Sequence, residues 1–357
     1  MKVITIVGAR PQFVKAAVVS RSIAKHDNIE EIIIHTGQHY DANMSDLFFQ
    51  EMEIPRPRYN LGINQMSHGA MTGKMVEQIE NILLDEKPDY LLVYGDTDST
   101  LAGALAACKL GIPIAHVEAG LRSFNMTMPE EINRILTDRI STLLFCPTAT
   151  AVANLQREGF DNFNAQIIRS GDVMYDAALY YAQHSKAPNC TLPESYILCT
   201  LHRAENTDNP QILQSIFKAL ETISRTLVPI VLPLHPRTKA KLQGIGYDFE
   251  PSLITFINPV GYFEMIHLIQ HSQIIMTDSG GLQKEAYFFK KKCVTLRAET
   301  EWVELVKVNA NKLAGSDYDT ILHTVADMLQ QNVDFTTPLY GDGHTGDAIV
   351  KVLKENL

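Results

Sequence analysis

Cysteine is scarce in this chain. There are five among 357 residues, Cys108, Cys146, Cys190, Cys199 and Cys293, an odd number with no C-x-x-C pair. That excludes a disulfide-stapled secreted scaffold and fits free thiols in a reducing compartment. Long apolar runs are missing as well, and nothing approaches the roughly 20 residues that a bilayer-spanning helix needs. The first residues, 2–7, read as a strand and not as a signal peptide. The expectation is a soluble, cytoplasmic protein without a membrane partner. Positive charge is in deficit, 31 Lys and Arg against 41 Asp and Glu, for a net charge of −10. A nucleic acid partner is excluded on that balance, because binding one needs a basic face. Any anionic ligand must be held by local donors. Three signatures are absent: G-x-G-x-x-G for dinucleotides, H-E-x-x-H for a metal, and G-x-S-x-G for a serine nucleophile.

The apolar residues present, 45% of the chain, come in short runs separated by helical patterns. Strands are expected at 3–7, 31–35, 90–94, 112–117, 143–146 and 166–169, with helices at 11–25, 67–86, 99–109, 130–141 and 148–158 between them. Continuous apolar strands alternating with helices predict a parallel sheet covered on both faces. The pattern restarts with strands at 196–200, 229–234, 253–257, 274–277 and 293–296. The expected fold is α/β, with two doubly wound Rossmann-like domains facing a cleft. The expected domains are 1–171 and 172–340, with a final helix, 341–357, packing back on the first.

Several motifs fall at strand ends. Thr277-Asp278-Ser279-Gly280-Gly281 precedes a helix, so the amides of Ser279, Gly280 and Gly281 converge with the helix dipole behind them. This arrangement seats a phosphate. Glu285, one turn on, would repel phosphate but can accept hydrogen bonds from a ribose diol. The pair points to a nucleotide sugar. Gly8-Ala9-Arg10-Pro11 with Lys15 brings two cations to the first strand's carboxyl end. Asp96 follows the strand at 90–94, and capping of the next helix by Asp98 or Ser99 would free it for the ligand. Glu118 stands at the open end of its strand, on the same face as His116. Either an acid/base role or an ion pair with Arg122 or Arg134 would suit it. Pro129-Glu130-Glu131 opens a helix, with Glu130 and Arg134 four apart on one face. The loop before it carries Phe124 and two methionines, as a mobile cover would. His202 ends the strand at 196–200, and His235-Pro236-Arg237 ends the next.

Gly-Ala-Arg-Pro with Lys15, Thr-Gly-Gln-His-Tyr at 36–40, Gly-Asp-Thr at 95–97, His-Val-Glu-Ala-Gly-Leu-Arg at 116–122, Pro-Glu-Glu-Ile-Asn-Arg at 129–134, His-Arg-Ala-Glu-Asn at 202–206 and Asp-Ser-Gly-Gly-Leu-Gln-Lys-Glu at 278–285 resemble, in order, the non-hydrolysing UDP-N-acetylglucosamine 2-epimerases. The resemblance implies a GT-B-like fold, a homodimer, and no cofactor, metal or nicotinamide. It implies reversible inversion at C2 of UDP-GlcNAc to UDP-ManNAc, through elimination of UDP to a 2-acetamidoglucal and re-addition, for surface polysaccharide such as lipopolysaccharide. Asp96, Glu118 and Glu130 match the family's proton-transfer acids, and His202 its histidine near the diphosphate. Arg10, Ser279, Gly280 and Gly281 match phosphate ligands, Glu285 the ribose ligand, and Lys15 and Arg134 active-site cations.

The chain departs from the family in two places. Thr-Glu-Trp-Val-Glu at 300–304 stands where many members have Thr-Glu-Arg-Pro-Glu, and its Trp302 could stack on a ligand or simply pack. The Gln-His-x-x-Gln stretch of the allosteric site in some members is reduced to Gln38 and His39, without the second Gln. The segments at 124–128, 258–262 and 301–304 are closer to a branch acting on UDP-2,3-diacetamido-2,3-dideoxyglucuronate. A GT-B glycosyltransferase, a hydrolysing epimerase and a silent UDP-sugar sensor are the rival readings.

Overall fold

The computed structural model describes residues 1–38, 53 and 56–356, and the Arg10 side chain lies outside it. His39, Tyr40 and Asp41 of the sequence motif are also outside the described residues. The chain divides into two units, 1–177 with 338–357, and 178–337. The division falls within the helix Val173–Ala182.

In the first unit, seven parallel strands run in the order β3-β2-β1-β4-β5-β6-β7. They are β1 (Lys2–Val7), β2 (Glu30–His35), β3 (Tyr59–Asn60), β4 (Tyr90–Tyr94), β5 (Ile114–Val117), β6 (Leu143–Cys146) and β7 (Gln166–Arg169). Every residue of β4 and β5 is buried, as strands covered on both faces require. Helix α1 (Arg10–Ile23) follows β1, α2 (His68–Glu86) precedes β4, and α3 (Asp98–Lys109) and α4 (Pro129–Ile140) flank β5. Met71, Met75, Ile79 and Leu83 recur along α2 at helical spacing and pack with Ile4, Ile6, Leu91 and Val93 of the sheet. The terminal helix Thr345–Glu355 belongs to this unit. Lys25 pairs with its Asp347 at 2.7 Å, and its Gly346 amide donates to Asp176 at 2.9 Å.

In the second unit, six parallel strands run in the order β10-β9-β8-β11-β12-β13. They are β8 (Ile197–Thr200), β9 (Ile230–Pro233), β10 (Thr255–Ile257), β11 (Ile274–Thr277), β12 (Lys292–Thr295) and β13 (Asn311–Leu313). Helix α5 (Gly280–Phe288) follows β11, and α6 (Tyr262–His271) precedes it. In both sheets the strand order reverses beside the first strand of the unit, between β1 and β4 and between β8 and β11. Loops at the carboxyl ends there splay apart, and that is where ligands bind in open α/β sheets.

Candidate active site

At the reversal in the first unit, the turns after β1, β4 and β5 meet. Gln12 ties the first two together. Its side-chain oxygen accepts from the Gly8 and Ala9 amides at 2.8 and 3.0 Å, and its amide donates to the Tyr94 carbonyl at 2.8 Å. Lys15, one turn further along α1, forms an ion pair with Glu118, and both side chains are close to nine-tenths buried. Gly95 lies against that pair: a Cβ there would sit 3.1 Å from the Lys15 ammonium and 3.3 Å from a Glu118 oxygen. Glu118 has φ +74°, a left-handed conformation that a residue with a side chain holds only when its surroundings enforce it.

Asp96 is paired with Arg134 of α4. Arg134 also donates to Glu131 at 2.9 Å, and no ion pair joins it to Glu130 among the described contacts. The four-residue spacing of Glu130 and Arg134 does not decide the pairing, because Arg134 reaches across to the turn after β4. Glu130 stands exposed in the first turn of α4. Glu131 is fully buried and accepts from the Ser123 and Phe124 amides, each at 2.9 Å, which folds the preceding loop onto the helix. Phe124 and Met126 of that loop are 67% and 59% exposed.

The cap of α3 is neither Asp98 nor Ser99 but Thr97, whose hydroxyl accepts from the Thr100 amide at 3.3 Å. Asp98 is buried. One of its oxygens meets His68 Nδ1 at 2.7 Å, and the other accepts from Asn133 at 3.1 Å. The Asp98 hydrogen bond and charge raise the exposed His68 imidazole above its ordinary value. Asn133 also donates to the Asp96 carbonyl at 3.0 Å. Gln38 accepts from Ser99, from the amide at 3.0 Å and the hydroxyl at 2.6 Å. Among the described contacts, Glu118 pairs with Lys15 and with neither Arg122 nor Arg134. Arg122 is taken up by Asp138 at 2.7 Å and by Glu158 at 2.7 and 2.8 Å.

At the reversal in the second unit, Ser279 caps α5 with no side-chain hydrogen bond to the helix, and Gly280 and Gly281 are its first residues. Their amides belong to the first turn, where no intrahelical acceptor exists. Asp278, fully buried, accepts from the His202 amide at 3.0 and 3.2 Å, the Arg203 amide at 2.9 Å and the Asn206 side chain at 3.2 Å. Its carboxylate also lies 3.3 Å from His202 Nδ1, while the His202 side chain is 50% exposed. Asp278 therefore holds the turn after β8 against the turn after β11.

Glu285 is buried one turn into α5. Burial pushes its carboxyl up to about 7, against smaller opposing effects of Tyr262 and Lys284. The Tyr262 hydroxyl faces it without a well-directed hydrogen bond. Lys284 lies 4.2 Å over the Trp302 ring, so Trp302 is packed and 5% exposed. His235 and Arg237 have local work: His235 Nδ1 accepts from the Arg237 amide at 3.2 Å, and Arg237 grips Asp208 at 2.8 and 2.9 Å. A concavity of about 580 Å³ opens at the carboxyl ends of β9 and β10, lined by Leu234, Lys239, Phe256, Val260 and Glu264 among others. Among the described residues, no group of three His, Cys, Asp or Glu is placed to hold a metal ion, and no helix is long and apolar enough to cross a membrane.

Two doubly wound sheets, one with cation-paired carboxylates and the other with an amide-lined turn at the strand-order reversal, define the GT-B-like fold class. The family model described as UDP-N-acetylglucosamine 2-epimerase matches residues 21–354. The chain belongs to that family of isomerases. It is 54% identical over 354 residues, 99% of each chain, to the UDP-2,3-diacetamido-2,3-dideoxy-D-glucuronate 2-epimerase of Pseudomonas aeruginosa. The structure of Methanocaldococcus jannaschii UDP-GlcNAc 2-epimerase in complex with UDP-GlcNAc and UDP matches with a TM-score of 0.86 at 42% identity, covering 99% of this chain and 100% of that one. The Neisseria meningitidis UDP-GlcNAc 2-epimerase bound to UDP-GlcNAc matches with a TM-score of 0.87 at 31% identity, covering 100% of both.

Proposed function

We propose that this enzyme reversibly inverts C2 of a UDP-linked 2-acetamido sugar, converting UDP-GlcNAc to UDP-ManNAc. The observation that carries this reading is the pair of carboxylates after adjacent strands, Asp96 after β4 and Glu118 after β5, each held by a cation from a neighbouring helix. Each cation fixes where its carboxylate points, as a group that takes a proton from a bound sugar requires. A carboxylate of this set removes the C2 proton as the C1–O bond breaks and UDP departs, leaving a C1–C2 double bond. A proton returns to C2 on the other face, and UDP adds back to C1. Departure of UDP needs its negative charge met by fixed donors. Gly280 and Gly281 offer backbone amides and Ser279 its hydroxyl, since the Ser279 amide donates to the Thr277 hydroxyl at 2.9 Å, with His202 and Arg10 as further donors. Glu285 takes the ribose diol, and the concavity at β9 and β10 takes the base. Lys15 and Arg134 orient the acids, and Glu130 serves the second sugar face. The enzyme works as a cytoplasmic homodimer supplying surface polysaccharide such as lipopolysaccharide.

A second reading keeps the reaction and changes the sugar to UDP-2,3-diacetamido-2,3-dideoxyglucuronate. The 54% identity to an enzyme of that name favours it. Incubation of the purified protein with each UDP-sugar in D2O, followed by NMR, tests both. Deuterium at C2 of an intact UDP-sugar is expected, and the faster substrate decides between the readings. Release of free sugar would instead make it a hydrolase, and no exchange with either sugar would leave a transferase or a sensor.

A further inference from the structure

His116 and Asp138 are both fully buried, and they join the two turns that carry Asp96 and Glu118. His116 Nδ1 lies 2.7 Å from Asp138 Oδ1, and Nε2 lies 2.7 Å from the carbonyl oxygen of Gly95, the residue before Asp96. The other oxygen of Asp138 accepts from the Gly120 amide at 3.1 Å and from Arg122 at 2.7 Å. Gly120 closes the turn that begins at Glu118. Both turns are left-handed, with φ +63° at Gly95, +74° at Glu118 and +79° at Gly120. Burial opposes charge on Asp138, but the His116 and Arg122 donors outweigh it and hold the carboxyl below the usual carboxylate range. An ionised carboxylate and a carbonyl only accept hydrogen bonds, so both ring nitrogens of His116 must donate.

We infer that His116 is a positioning residue that, with Asp138, braces the Gly95–Asp96 turn against the Glu118–Gly120 turn and fixes the spacing of the two acids. The inference rests on the proposed proton-transfer role of those acids. A misplacement of about 1 Å in a reacting group can cost roughly 100-fold in rate. Nucleotide affinity, supplied by the second unit, is independent of the brace.

The test compares wild type with His116→Asn and His116→Gln, whose N–H donors both sit on one nitrogen and so cannot reach acceptors that lie against two separate ring nitrogens. The readouts are kcat and KM for C2 exchange in D2O, the Kd for UDP, and the ring N–H signals of 15N-histidine-labelled wild type. The expected result is a kcat lower by about 100-fold with the UDP Kd unchanged, and two exchange-protected ring N–H protons on His116. An unchanged kcat, a parallel loss of UDP binding, or a single ring N–H would overturn the inference. Absence of C2 exchange in wild type would sink the reading of the reaction instead, and the N–H count would still decide the brace.

Discussion

Replacing Glu285 with Gln removes a charge that the fold does not favour. The carboxyl rises from an ordinary 4.5 to about 7 because burial strips its water. At about 1.36 kcal/mol per pH unit, that rise amounts to about 3 kcal/mol. The folded state binds this proton more tightly than the unfolded state. The penalty is therefore absent below pH 4.5, grows as pH climbs toward 7, and is complete above it. Glutamine has no such titration. The variant should match wild type near pH 4.5 and gain about 3 kcal/mol over it at pH 8.5, read from urea unfolding at both pH values. The same substitution should weaken UDP binding, because a neutral amide accepts the ribose hydroxyls less strongly than a carboxylate. Wild-type affinity for UDP should in turn fall as pH drops through 7. A stability difference that is equal at the two pH values, or that favours wild type at pH 8.5, would mean that burial of the Glu285 carboxylate carries no such penalty.

Asp96→Asn and Glu118→Gln should each lower kcat by about 10²–10⁴ with the UDP Kd within about twofold, and near-normal turnover in either would remove that residue's role. Gly120→Ala should destabilise the protein by about 1–3 kcal/mol in thermal unfolding. A methyl there would meet the Ala151 carbonyl oxygen at 2.5 Å in a left-handed conformation, and an unchanged Tm would contradict that geometry. Asp278→Asn should weaken a carboxylate that serves the His202 and Arg203 amides and the Asn206 side chain. Faster hydrogen exchange at amides 202 and 203 is expected, and unchanged protection would mean that Asp278 does not hold the turn.

The α/β architecture was legible because the strands announce themselves. Tyr-Leu-Leu-Val-Tyr at β4 and Ile-Ile-Met-Thr at β11 are continuous buried runs bounded by turn residues. The two-residue β3 and the polar Asn-Lys-Leu of β13 carry no such signal, since sheet edges need no unbroken apolar run. The motifs locate the acids and the Ser-Gly-Gly turn at strand ends, but not their partners. Arg134 pairs with Asp96, 38 residues away, over Glu130 on its own helix. Asp138 lies inside helical sequence that looks unexceptional, and Asp278 stands in the Ser-Gly-Gly motif without a role that the sequence assigns to it. Their importance appears only when the fold brings distant amides and cations to one carboxylate. Helix caps were equally ambiguous, because Thr97, Asp98 and Ser99 are all competent and only the backbone decides among them.

The proposed reaction breaks the C1–O bond of the UDP-sugar as C2 loses its proton. Positional isotope exchange reads this directly: UDP-sugar carrying 18O in the sugar–phosphate bridge is incubated with enzyme, and the label is followed by 31P NMR. Migration of 18O into the non-bridging positions of the β-phosphate is expected during turnover. Inversion at C2 with the label held in the bridge would mean that the C1–O bond stays intact.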